Sequence, residues 1–209
     1  MKIILDDTPL TDTPAATATL AEAIAAAAER AASLDRVIVD IFADGRAVSA
    51  EELDDEATMA HPCEEVRLTT AEPRAFVQVT MVDAAEALGG ARAEQQRAAE
   101  LVEAGSTTEA YEALELALAL WQSARQSLDQ GAQLIGLDLS TLPLKHPDIL
   151  PEAIAKLSAA LEEVRRSVGA QDWASLSDVL LYDLDDLVGE WQQLLRDVAG
   201  HIAQNVKGS

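Results

Sequence analysis

The sequence predicts an α+β protein: a small β-rich unit over residues 1–70, followed by an elongated antiparallel helical bundle over residues 71–209. Three observations carry this expectation. The apolar period changes from two residues to about 3.6 near Thr70. Alanine, the strongest helix former, fills about one position in five. The apolar stripes of the second half run on for about 30 residues, enough for ~45 Å of helix.

In the first half, residues 2–6 form a short apolar run that suits a buried strand. Residues 8–14 carry Pro9 and Pro14 and read as turn and extended chain. Thr19 and Glu22 have capping-box spacing, so a helix starts at Leu20 and runs to Leu34. Its apolar face is Leu20, Ile24, Ala27, Ala31 and Leu34. Residues 37–42 (Val-Ile-Val-Asp-Ile-Phe) are the clearest strand. Asp44-Gly45 marks a tight turn. Ser49 and Glu52 form a second capping box ahead of a short helix. Residues 65–69 alternate as a half-buried strand does. The order β, α, β, turn, short helix, β fits a β-grasp, ubiquitin-like arrangement, and a ferredoxin-like unit reads similarly.

In the second half, Thr69 and Glu72 have capping-box spacing and Pro73 suits a first helical turn. Residues 74–82 are therefore read as helix despite their β-branched content. Gly89-Gly90 predicts a kink or break, because two glycines cost ~2 kcal/mol relative to alanine. The helix stops at Gly105 and Ser106 caps the next. Tyr111, Leu114, Leu118, Trp121, Leu128 and Ile135 form its heptad-like stripe, ended by Gly136. Residues 137–150, with Pro143 and Pro147, are a linker. Ile154, Leu157, Leu161, Val164 and Val168 mark another helix, ended by Gly169. Asp172 caps the last one. Its stripe is the most regular in the chain: Trp173, Leu176, Leu180, Leu184, Leu187, Trp191, Leu194, Val198 and Ile202.

The chain has 209 residues, with 15 Lys and Arg against 37 Asp and Glu, a formal net charge of −22. Nucleic acid and anionic membrane are poor partners for such a surface, since both are held by clustered cations. The single cysteine, Cys63, excludes an intramolecular disulfide and a thiolate-rich zinc site. No run of ~18 apolar residues is present, and the N-terminus lacks a signal peptide's apolar core. A soluble, cytoplasmic protein is expected.

His61, Cys63, Glu64 and Glu65 are the one place where imidazole, thiol and carboxylates crowd together. Zinc needs three or four converging ligands, so a loop with Cys63 as a small buried hydrophobe is the preferred reading. His146 lies in the linker and His201 near the end of the last helix. Asp183, Asp185, Asp186 and Glu190 suggest calcium, but an EF-hand needs a twelve-residue loop, and a solvated helix face fits better. No phosphate-binding loop or dinucleotide fingerprint occurs. No metal and no cofactor is expected.

The run 37–45 (Val-Ile-Val-Asp-Ile-Phe-Ala-Asp-Gly) and the segment 172–184 (Asp-Trp-Ala-Ser-Leu-Ser-Asp-Val-Leu-Leu-Tyr-Asp-Leu) resemble an uncharacterised family of bacterial proteins, a likeness that implies no activity. The helical half is similar in size, acidity and helix-hairpin style to flagellar and type III export chaperones, from which the β-rich first half departs. The expected function is a non-enzymatic protein-binding or adaptor role, chaperone-like in using long amphipathic helices. Tyr182, Trp121 and Tyr111 are the candidate partner-binding residues, Tyr182 foremost because it lies off the main stripe. A homodimer formed through the helices is the alternative, and a small enzyme using Cys63 and His61 the third reading.

Overall fold

The computed structural model describes residues 1–10, 18–142 and 149–206. It divides into two compact units, Met1–Phe76 and Val77–Ser209. The division falls a few residues beyond the 70/71 boundary expected from the periodicity. Thr69 and Thr70 do not cap a helix: both lie in a strand that runs to Ala71. The Glu72 carboxylate does the capping instead, accepting the amides of Arg74 at 3.0 Å and Ala75 at 2.6 Å.

The first unit is a mixed sheet with one main helix. Its strands are β1 (Lys2–Leu5), β2 (Thr8–Pro9), β3 (Val37–Ala43), β4 (Arg46–Ala47) and β5 (Glu65–Ala71). They lie in the order β2-β1-β5-β3-β4. β1 and β5 are parallel, while β1–β2, β5–β3 and β3–β4 are antiparallel. Alternation along β5 sends Val66, Leu68 and Thr70 inward and Arg67 and Thr69 outward. Helix α1 (Leu20–Ala32) has the predicted capping box at Thr19 and Glu22. It buries Leu20, Ala23, Ala27 and Ala31. Leu20, Ala23 and Ala27 join Ile3, Leu5, Ile41, Val66 and Leu68 in one core. Leu34, expected on that face, lies beyond the helix and is exposed. Asp35 takes φ 55° there, and the Arg36 amide donates back to Ala31. Two short helices follow, α2 (Ala50–Leu53) and α3 (Glu56–Met59).

Strand β2 forms at Thr8–Pro9, where the prolines predict only turn and extended chain. The turn before it is Asp6-Asp7, with φ 47° and 63°, a mirror-image hairpin turn built without glycine or asparagine. Its stability comes from tertiary partners. The Asp6 carboxylate accepts the Thr70 amide at 2.7 Å and the Thr70 hydroxyl. The Arg36 guanidinium donates to the Thr70 carbonyl at 2.7 Å and to its hydroxyl. These bonds, the Thr70 hydroxyl's first and Arg36's charge last, hold the Asp6 carboxyl below the usual aspartate range.

A depressed folded pKa stabilises the fold above the ordinary aspartate value, and that stability disappears as pH falls through the folded value. Asp6→Asn is therefore expected to destabilise the first unit by about 1 kcal/mol at neutral pH, the lower range for a charged hydrogen bond because the carboxylate is partly exposed. Denaturant melts at pH 7 and near pH 2 check this: the difference from wild type should shrink in acid.

The second unit is helical: α4 (Pro73–Glu103, its first turn within the first unit), α5 (Thr107–Leu134), α6 (Ile149–Ala170), α7 (Trp173–Asp178) and α8 (Leu184–Val206). A π-helical turn, Val179–Asp183, joins α7 to α8. Residues 74–82 are helical, as predicted. The predicted break at Gly89-Gly90 does not occur; α4 runs through both. Gly89 and Gly90 are themselves exposed, and the buried face on either side of them, Ala85, Leu88 and Ala91, holds the helix together against their poor propensity. Gly105, at φ 76°, ends α4 with back-donating amides from Gly105 and Ser106. Ser106 takes the N-cap position of α5, yet its side chain makes no capping bond.

The α5 seam differs from the predicted stripe. Its buried positions are largely small residues, Ala110, Ala113, Ala117, Ala124, Gly131 and Ala132, around Leu114, Trp121 and Leu128. Tyr111 is exposed and Leu118 half-buried. The predicted stripe of the last helix is buried from Leu176 to Ile202, but it is not one continuous α-helix. In the π-turn the Leu184 amide donates to the carbonyl of Val179, five residues back. Steps of four and four across Leu176, Leu180 and Leu184 suit either helix type, so spacing alone does not reveal the turn.

α6 continues past Gly169 to Ala170, and Gln171 takes the left-handed conformation, φ 54°. Gly169 thus sits inside the helix with open space where a Cβ would stand. Gly169→Ala and Gln171→Gly are each expected to stabilise the unit by about 1 kcal/mol, the first by helix propensity and the second by removing left-handed strain. Paired thermal melts read both. The predicted turn residues Pro143, His146 and Pro147 lie outside the described residues.

Candidate functional site

Two concave regions collect the polar side chains singled out by the sequence. The first, of about 590 Å³, lies in the sheet unit between the β3–β4 hairpin, α3 and the segment that leads into β5. Asp44, Arg46, Thr58, His61 and Cys63 line it. The Asp44-Gly45 turn forms as expected, with φ 49° and 81°. Asp44 fastens it by accepting the amides of Glu64 and Glu65, both at 2.9 Å. Arg46 is turned to Glu52 at 2.6 Å.

The chemistry at Cys63 runs against use as a nucleophile. Its thiol donates to the His61 carbonyl at 3.8 Å rather than to an imidazole. The residue belongs to the sheet core. Burial, and after it the Asp44 charge, push its pKa above the ordinary thiol value, so the reactive thiolate is disfavoured. Among the described residues, no three His, Cys, Asp or Glu side chains converge to hold a metal.

The second region is a groove of about 390 Å³ between α6 and α8. Ala159, Ala160 and Leu187 lie along it. Lys156 and Glu163 come from α6, and Asp183, Asp186 and Glu190 from the π-turn and α8. On each helix these side chains sit at spacings of three, four and seven, which brings them onto one face. The sequence reading singled out the α8 group but missed Lys156 and Glu163. Their matching seven-residue spacing was the available signal. Asp185 faces elsewhere, ion-paired with Arg92 at 2.8 Å. The predicted acidic cluster is therefore split.

The Lys156 ammonium bonds both Glu190 oxygens, each at 2.9 Å. That bond, and after it the charges of Glu190 and Glu152, raise the Lys156 pKa. Glu163 is bonded to Arg166, which lowers its pKa. Asp183 and Asp186 have no cationic partner among the described residues.

The three candidate partner-binding residues have separate fates. Tyr182 lies in the π-turn and is 66% exposed, the highest value among the described large hydrophobic side chains. It precedes Asp183 and stands four residues before Asp186. Tyr111 is 42% exposed and meets the half-buried Trp173 edge-on, with centroids 6.2 Å apart. Trp121 is a correction: at 1% exposure it packs edge-on against Trp191 in the bundle core, beyond reach of a partner. A large indole on a heptad stripe buries its area when a facing helix is available.

Charge governs the expected response to salt. Self-repulsion among 37 carboxylates facing 15 cations is screened as ionic strength rises. The melting temperature should climb steadily toward ~1 M NaCl. At matched ionic strength, CaCl2 should produce no saturating jump; such a jump would reveal a specific site at the α8 carboxylates. Among the described residues, no helix is long and apolar enough to cross a membrane. No protein-family model, curated protein or solved structure matches the chain.

Proposed function

We propose that the chain is a non-enzymatic protein-binding or adaptor protein, chaperone-like in presenting long amphipathic helices to a partner, with a β-grasp-like (ubiquitin-like) first unit. The strand order β2-β1-β5-β3-β4, the parallel β1–β5 pair at its centre and the single main helix packed on the sheet support the β-grasp assignment. The observation that carries the binding role is Tyr182, a large aromatic exposed on a π-turn, a helix defect often found at functional sites. Tyr111 is a second aromatic of the helical unit open to a partner. The Cys63 thiol, buried and raised in pKa, speaks against the enzymatic alternative.

A photo-crosslinking residue introduced in place of Tyr182 or Tyr111, in the native host, tests this reading. Discrete adducts with a second protein are expected. An adduct of twice the chain's own mass would instead favour the self-assembling homodimer, and no adduct at either position would overturn the reading.

A further inference from the structure

We propose that β1 is an exchangeable arm: the Asp6-Asp7 turn is a strained hinge, and when it opens, β1 of one copy takes the place of β1 in the sheet of a second copy, giving a domain-swapped dimer. The exchange concerns the sheet unit alone and goes beyond the protein-binding reading above.

The strain lies in the hinge. Asp6 and Asp7 both stand in the left-handed region, at φ 47° and 63°. That conformation crowds a Cβ against the following carbonyl oxygen, and a turn of this kind favours glycine at its second position. A short hinge under strain invites exchange, because the extended hinge of a swapped dimer holds no left-handed residue. A latch opposes the opening. The Asp6 carboxylate accepts from the Thr70 amide and hydroxyl, and the Arg36 guanidinium stands 3.6 Å from it. Extending the hinge draws Asp6 away from these partners. Strain and latch together set the ratio of monomer to dimer.

The slot that β1 leaves selects the occupant. It lies between β5, to which β1 is parallel, and β2, to which it is antiparallel. The Ile3 carbonyl accepts the Leu10 amide at 2.9 Å on one side, and the Lys2 amide donates to Glu64 at 2.8 Å on the other. Ile3, Ile4 and Leu5 are all buried, with Ile3 and Leu5 in the core of the unit. Lys2 meets Glu65 at 2.9 Å. The β1 strand of a second copy restores every one of these contacts in the native register, and the closed and swapped forms then differ only at the hinge. A dimer of two closed copies brings net charges of −22 together and leaves both hinges strained.

The full chain, refolded from guanidinium at high protein concentration, tests the assignment, with size exclusion and light scattering reading the dimer fraction. Asp6→Ala removes the latch and should raise the dimerisation constant about 100-fold, ~10-fold for each of two hinges. Asp7→Pro should be mainly dimeric, because its ring fixes φ at about −65° and forbids the closed turn. Asp7→Gly keeps the latch and relaxes the turn, and should lower the constant about tenfold. Lys2→Cys and Glu65→Cys, on separate chains in a Cys63→Ala background, identify the swapped strand. Co-refolding and oxidation with copper–phenanthroline should join the two chains by a disulfide, since β1 of one then lies beside β5 of the other. A Lys2→Cys/Glu65→Cys chain, oxidised as a dilute monomer, verifies that the two positions can be bridged.

Asp6→Ala and Asp7→Pro that stay monomeric, while circular dichroism shows them folded, would overturn the proposal. So would an Asp7→Gly variant that dimerises as readily as Asp7→Pro, or dimers in which the two single-cysteine chains are not joined. Should both opening variants fail to fold, wild type against Asp7→Gly decides, and equal dimer fractions would overturn the proposal too. None of these failures touches the protein-binding reading, which rests on Tyr182 and Tyr111 in the helical unit.

Discussion

Trp191→Ala is expected to destabilise the helical unit by about 3–5 kcal/mol, and Trp121→Ala by a similar amount, the range for truncating a core aromatic. Both indoles are buried, at 0% and 1% exposure, and meet edge-on with centroids 5.9 Å apart and planes at 90°. Each truncation removes transfer energy and leaves a cavity that its neighbours fill only in part. The pair should also be coupled, by about 0.5–1.5 kcal/mol in a double-mutant cycle. Their polar edges differ. Trp191 Nε1 donates to the Ala153 carbonyl at 3.4 Å, while Trp121 Nε1 finds no acceptor among the described residues. Trp191→Phe should therefore cost more than Trp121→Phe. Trp173 shares the stripe with Trp191 but is half-buried, so Trp173→Ala should cost clearly less than either. Guanidinium unfolding followed by far-ultraviolet circular dichroism measures the series. Losses below ~1 kcal/mol for both buried tryptophans would contradict the core described here.

The second large effect is expected at Gly131. A Cβ built there stands 2.6 Å from Met81 Cε and 2.9 Å from Val77 Cγ1, so α4 and α5 approach each other over a missing side chain. Helix propensity favours alanine by ~1 kcal/mol. The Met81 methyl can swing aside, but the branched Val77 side chain is stiff at χ1. Overpacking should win, with a net loss of about 1–3 kcal/mol for Gly131→Ala and more for Gly131→Val. Gly189→Ala in α8 is the control. Open space surrounds its Cβ position, and only the propensity gain remains. Equal or greater stability of Gly131→Ala would show that the two helices are not held at this separation.

The sequence was most informative where local chemistry and the fold agree. The Thr19–Glu22 and Ser49–Glu52 boxes start α1 and α2 because their bonds close within four residues. The Asp44-Gly45 turn needs only two residues that tolerate positive φ. The stripe from Leu176 to Ile202 is legible because large aliphatic residues at helical spacing have nowhere to go but inward. The candidate site was half legible. Tyr182 stood off the stripe and is exposed, and the α8 carboxylates were visible as a run.

Tertiary structure decided the rest. Strand β2 exists because Thr70 and Arg36, far along the chain, hold the Asp6 turn in place. The α5 seam runs along alanines and Gly131, whose burial follows from how closely a neighbouring helix can approach, not from their own hydrophobicity. Trp121 faces the core because Trp191 is there to meet it. Gly89 and Gly90 continue a helix whose neighbours fix it. The α6–α8 groove joins side chains twenty or more residues apart in the chain. Capping and turn bonds close over a few residues and can be read from a sequence. Burial and cross-helix pairing depend on which surfaces meet, and that is settled only when the whole unit packs.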